Sequence, residues 1–156
     1  MNKVLFVDID GVLNLKRKNE YLTSKNNNTE EFYFNNIYDL ESMLNLRKIV
    51  LATNALIVSS SNRNCDSQCC EAFKHNLALF EIRRNYLNTV CVNNKDKNIE
   101  IYDFVRIYNI KKYMVLDDFT PQFTNTELIE HLYYINPEHG ITNHDANNII
   151  GVLNDE

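Results

Sequence analysis

Short apolar runs alternate along the chain with segments whose apolar residues recur at helical spacing. Val4-Leu5-Phe6-Val7 is continuous and β-prone, the pattern of a strand covered on both faces. Ile37, Leu40, Met43, Leu44 and Leu51 follow a helical period, and Ala55-Leu56-Ile57-Val58 predicts the next strand. Cys69, Phe73, Leu77 and Phe80 share one face of a second helix. Thr89-Val90-Cys91-Val92 predicts a third strand, and Ile101, Phe104, Val105 and Tyr108 a third helix. Tyr113-Met114-Val115-Leu116 predicts a fourth strand and Leu132-Tyr133-Tyr134-Ile135 a fifth. Between these two, Thr124-Asn125-Thr126-Glu127 has capping-box spacing for a short helix. Thr142-Asn143-His144-Asp145 opens a last helix carrying Ala146, Ile149, Ile150 and Leu153. Strands alternating with helices predict an α/β domain, a parallel sheet of about five strands flanked by helices.

At 156 residues the chain is expected to be one domain spanning 1–156. Its 44% hydrophobic and 24% charged residues support a real core and exclude global disorder. No apolar run approaches the roughly 20 residues that span a bilayer, and Met1 to Asp8 lacks the pattern of a signal peptide. The expectation is therefore a cytoplasmic protein with no membrane partner, whose Cys65, Cys69, Cys70 and Cys91 stay reduced, Cys69 and Cys70 as buried helix residues. No two C-x-x-C units are present to hold zinc, and the four histidines do not fall at ligand spacing. A net charge of −5 advertises no bulk attraction to nucleic acid. Asparagine is over-represented, with 25 copies, and the polar stretch from Asn14 to about Glu31 reads as a long loop.

In parallel sheets of this kind the site lies beyond the carboxyl ends of the strands, so the polar residues directly after each run carry the chemistry. The first run ends in Asp8-Ile9-Asp10-Gly11-Val12-Leu13-Asn14, two carboxylates followed by a residue that permits a sharp turn. Paired acids at such a mouth can hold a hard cation, or divide into nucleophile and acid if their pKa values are driven apart. The second run passes into Ser59-Ser60-Ser61-Asn62-Arg63, hydroxyls with a guanidinium behind them, groups suited to a phosphoryl oxygen. Lys97 stands three residues before Glu100 at the start of the third helix, and this spacing favours it over Lys95. The fourth run ends in a second acidic pair, Asp117-Asp118.

These four motifs, in this order, resemble those of the haloacid dehalogenase (HAD) superfamily of phosphatases. Val7-Asp8-Ile9-Asp10-Gly11 matches its D-x-D-G motif, Ser59 to Ser61 its second-strand hydroxyl, Lys97 its lysine, and Met114-Val115-Leu116-Asp117-Asp118 its acidic pair. Within the superfamily the chain is similar to a small branch predicted to act in RNA repair, whose second motif reads S-S-S-W-R and which carries a G-[LI]-T turn, here Gly140-Ile141-Thr142. Asn62 departs from that branch at the tryptophan position, and Ser61-Asn62-Arg63 also resembles the S-x-R of phage-type polynucleotide 3′-phosphatases.

The resemblance implies a Rossmann-like, capless HAD-type domain acting as a magnesium-dependent phosphomonoesterase. Asp8 would be the nucleophile that forms an aspartyl-phosphate, and Asp10 the general acid and base. Mg2+ would sit among Asp8, the Asp10 backbone carbonyl and Asp117 or Asp118. Ser61 or Ser60, Arg63 and Lys97 would bind the phosphate. Only 49 residues separate Asp10 from Ser60, too few for a cap domain beside a helix and a loop, so an open mouth is expected. The implied substrate is a phosphorylated RNA or DNA end, more readily a 3′ end, with Lys16, Arg17 and Lys18 as local cations. The alternatives are a nucleotide or sugar-phosphate phosphatase and a non-enzymatic phosphate-binding or signalling module. A signalling receiver domain is disfavoured because Cys91-Val92-Asn93-Asn94 offers no aspartate after the third run.

Overall fold

The computed structural model describes residues 3–15, 38–61, 66–90 and 96–155. Five parallel strands, β1 (Lys3–Val7), β2 (Leu56–Ser59), β3 (Tyr86–Thr89), β4 (Lys112–Asp117) and β5 (Leu132–Tyr134), form one sheet in the order β3-β2-β1-β4-β5. The helices are α1 (Leu40–Thr53), α2 (Ser67–Leu79), α3 (Lys97–Ile107), α4 (Thr126–Ile129) and α5 (Asn143–Asn154), with single 3-10 turns at Arg83–Asn85 and Thr120–Gln122.

β1 is central, and its uninterrupted apolar run is divided between two cores. Leu5 and Val7 pack on one side with Met43, Leu46 and Ile49 of α1, Phe73 and Leu77 of α2, and Ala146, Ile149 and Leu153 of α5. Val4 and Phe6 pack on the other with Ile101 and Phe104 of α3, Leu128 of α4 and Val115 of β4. Phe6 meets the rings of Phe104 and Tyr113 edge-on, with centroids 5.6 and 6.0 Å away.

Local chemistry sets the helix starts. Asp39, Asp66 and Asp96 cap α1, α2 and α3 by accepting backbone N–H groups of the first turn. Thr142 and Asp145 form a full capping box at α5. The capping-box spacing at Thr124 is not realised in that form: Asn125 caps α4, and the Thr124 N–H goes instead to Asn98 Oδ1.

Two expected patterns are shifted. The third strand is Tyr86–Thr89, of which only Thr89 belongs to the predicted run; Cys91 and Val92 lie outside the described residues, as do Ile37 and most of the Asn14–Glu31 loop. On α1, Leu40, Leu44 and Leu51 are exposed, whereas the buried stripe is Ser42, Met43, Asn45, Leu46, Ile49, Val50 and Thr53. Cys69 and Cys70 are half-buried rather than buried, with Cys70 Sγ near the Tyr86 and Thr89 hydroxyls. Among the described residues no helix is long and apolar enough to cross a membrane.

Candidate active site

Register brings three strand ends to one level. Val7 pairs with Ser59 on one side and Leu116 on the other, so the next residues, Asp8, Ser60 and Asp117, stand abreast. Backbone bonds from Ser60 N–H to Val7 O and from Asp8 N–H to Leu116 O, both 3.0 Å, hold them there.

Beyond Asp8 the chain turns at once. Ile9 O accepts the N–H groups of Val12, Leu13 and Asn14, and Gly11 adopts φ +82° while donating its N–H to Asn14 O. A Cβ at Gly11 would lie 2.3 Å from Asp118 Oδ2, so the absent side chain makes room for that carboxylate. The turn also returns Asn14 to Asp10, whose Oδ1 accepts from Asn14 Nδ2 at 2.9 Å.

Lys97 is the first residue of α3 and its side chain is only 8% exposed. A cation at a helix N-terminus opposes the helix dipole, so its placement needs another cause. Two carboxylates supply it: Nζ is 2.5 Å from Asp117 Oδ2 and 3.3 Å from Asp8 Oδ1. The other Asp117 oxygen accepts from Phe119 N–H and Gln122 Nε2. Buried Asn98, beside Lys97, donates to Asp96 Oδ1 and Gln122 O and accepts from Thr124 N–H, tying the start of α3 to the loop after β4.

The carboxylates are crowded. Burial pushes the Asp8 carboxyl up to about 6; the Lys97 charge opposes the shift and Asp117 adds to it. Burial and then the Asp117 charge also raise Asp118. Asp8, Asp117 and Asp118 each place an oxygen within 4.8 Å of the others. A hard-oxygen set with one shared amine is short of positive charge, and this suits a divalent cation such as Mg2+. The Asp10 carboxylate is not one of the three, but it lines the same cavity and its charge adds to the rise at Asp118.

These groups line a cavity of about 250 Å3 with Ser61, Phe119 and Gln122. Ser60 is fully buried beside it, its Oγ without a hydrogen-bond partner among the described residues. A more apolar cavity of 290 Å3 lies at the other end of the sheet beneath Val4, Leu56 and Phe104, with no carboxylate or amine among the described residues of its wall. Of the residues singled out from sequence, Asp8, Asp10, Ser61, Lys97, Asp117 and Asp118 meet at the first cavity. Arg63, Lys95 and the basic group Lys16, Arg17 and Lys18 lie outside the described residues. Asn98, Phe119 and Gln122 join the site unannounced, and Asn14, the last residue of the first acidic run, gains its role as the partner of Asp10.

No curated protein and no solved structure matches the chain. Residues 4–146 match the family described as the HAD domain in Swiss Army Knife RNA repair proteins, a span that runs from β1 into α5 and contains every residue of the cavity. With strand order, acidic trio and buried lysine all within that span, the chain belongs to the family of HAD domains in Swiss Army Knife RNA repair proteins.

Proposed function

We propose that this domain is a magnesium-dependent phosphomonoesterase that works through an aspartyl-phosphate and acts on phosphorylated polynucleotide ends, 3′ ends above others. The observation that carries the reading is the meeting of Asp8, Lys97 and Asp117 at the level where β1, β2 and β4 end. An Asp8 carboxylate oxygen attacks phosphorus, the bond to the ester oxygen breaks, and Asp10 gives that oxygen its proton. Asp10 then takes a proton from the water that cleaves the aspartyl-phosphate, releasing inorganic phosphate and restoring Asp8. Asn14 Nδ2 keeps the Asp10 carboxylate oriented for both transfers. Ser61 donates to a phosphoryl oxygen and Lys97 offsets charge on phosphate and nucleophile. Asp8, Asp117 and Asp118, with the Asp10 carbonyl, would hold Mg2+, which when bound offsets the repulsion between carboxylates and a phosphate dianion.

The substrate is tested by competing a 3′-phosphorylated oligonucleotide against the matching mononucleotide at two salt concentrations. A clear advantage for the oligonucleotide that fades at high salt is expected. Equal, salt-indifferent release from both would make a small-molecule phosphatase the better reading.

Two variants probe the chemistry. Asp10→Asn is expected to slow turnover about 10²- to 10⁴-fold on an alkyl phosphate and much less on nitrophenyl phosphate, whose leaving group needs little protonation. An equal loss on both esters would remove Asp10 from the acid role. Gly11→Ala forces Asp118 aside, and a displacement of that size is expected to cost on the order of 10²-fold in turnover. The Mg2+ concentration for half-maximal activity should rise with it, and an unchanged titration would mean that Asp118 is no ligand.

A further inference from the structure

The cavity is small, and its contents under the proposed reaction, a phosphoryl group and a divalent ion, leave the rest of the substrate to lie at the mouth. Among the described residues lining that cavity, Phe119 is the one apolar side chain; all the others are charged or polar. It is 58% exposed. Other exposed apolar residues, such as Leu40, Leu44 and Ile107, sit on helices and do not line this cavity.

The Phe119 backbone is anchored at the reacting centre. Its N–H donates to Asp117 Oδ1 at 2.8 Å, and Gln122 Nε2 donates to the same oxygen at 2.9 Å. Asp117 in turn holds Lys97 through its other oxygen. An aromatic ring on an anchored backbone, largely in water at the wall of this small cavity, offers a flat face and no hydrogen-bonding group. That chemistry recognises another flat π-face and does not discriminate one base from another.

We propose that Phe119 is the stacking platform for the nucleobase adjoining the scissile phosphate, so that the domain selects phosphate esters of nucleosides over aliphatic ones. The proposal rests on the phosphatase reading for the place of the phosphate, and stacking itself is measured independently of turnover.

The sequence contains no tryptophan, so Phe119→Trp supplies a single fluorophore at the mouth. In an Asp8→Asn/Phe119→Trp protein with Mg2+, adenosine 3′-monophosphate is expected to quench the fluorescence saturably, and glycerol phosphate is not. In turnover, Phe119→Ala should lose about ten- to a hundredfold more kcat/KM on the nucleotide than on glycerol phosphate. Phe119→Tyr should restore the preference, whereas Phe119→Leu, apolar but not planar, should not. Equal losses on the two esters, recovery by leucine, or absence of quenching would each overturn the platform. Saturable quenching by the nucleotide in a protein that cleaves no phosphate ester would retain the platform and sink the phosphatase. Efficient cleavage of both esters, indifferent to the alanine change, would do the reverse.

Discussion

Asp8→Asn is expected to abolish phosphate release while leaving a folded domain that, in metal-free buffer, is more stable than the parent at neutral pH. The amide fits the space of the carboxylate but cannot form the acyl phosphate, so turnover should fall to background. The stability gain follows from the raised acid. Asp8 is largely withdrawn from water, and this pushes its carboxyl up to about 6 against an ordinary 3.8. A group whose folded pKa lies above its unfolded value contributes its full stability below the unfolded value and loses it as pH rises through the folded one. Between about pH 4 and 6 the parent should therefore lose up to roughly 3 kcal/mol that the asparagine variant keeps. Chelator-treated melts across that range and phosphate release on the same preparations decide both halves. Activity near that of the parent would end the covalent mechanism; parallel melting curves would remove the charge penalty at Asp8.

Much of this site was legible because register does what strand-end motifs need. A run such as Val4 to Val7 must be covered on both faces, and neighbouring parallel strands that end at the same level bring their following residues together. Asp8, Ser60 and Asp117 are separated by dozens of positions in the chain and by none in the sheet. Legibility failed where long-range partners override the local pattern. On α1 the leucines at 40, 44 and 51 look like the buried stripe, yet Ser42 and Asn45 face inward. Their polar groups are met from across the fold: Asn45 Nδ2 donates to Ile141 O, and Ser42 Oγ accepts from Ile141 N–H. β3 failed for another reason. It is an edge strand with exposed Leu87 and Asn88, so no continuous apolar run marks it. Gln122 and Asn98 act through tertiary hydrogen bonds that leave no trace in composition or spacing.

Lys97→Met should have the second large effect, on stability as well as activity. The ammonium is the one cation touching Asp8 and Asp117 among the described residues, and methionine replaces its stem without its charge. Breaking a buried pair while its partner stays charged typically costs about 3–5 kcal/mol, a large part of a domain's total of roughly 5–15. Two agents can relieve the stranded carboxylates. One is protons: the Lys97 charge is the chief influence holding the Asp8 carboxyl down, so its loss moves that carboxyl further above 3.8. The stability carried by the protonated form is then lost as pH rises, and the variant should be weakest at pH 8 and recover towards pH 5. The other is a divalent cation, drawn to three oxygens within 4.8 Å of one another. Added Mg2+ should raise the melting temperature of the variant more than that of the parent, because binding to the folded state alone stabilises it by mass action. Activity should stay lost even at saturating Mg2+, since the ion restores charge balance among the acids but supplies no donor at the lysine's position. Melts at pH 5 and 8 with and without Mg2+ test every part of this. A variant that melts like the parent, with the same response to Mg2+, would mean that Lys97 does not balance the acidic trio and that its place at the head of α3 has another cause.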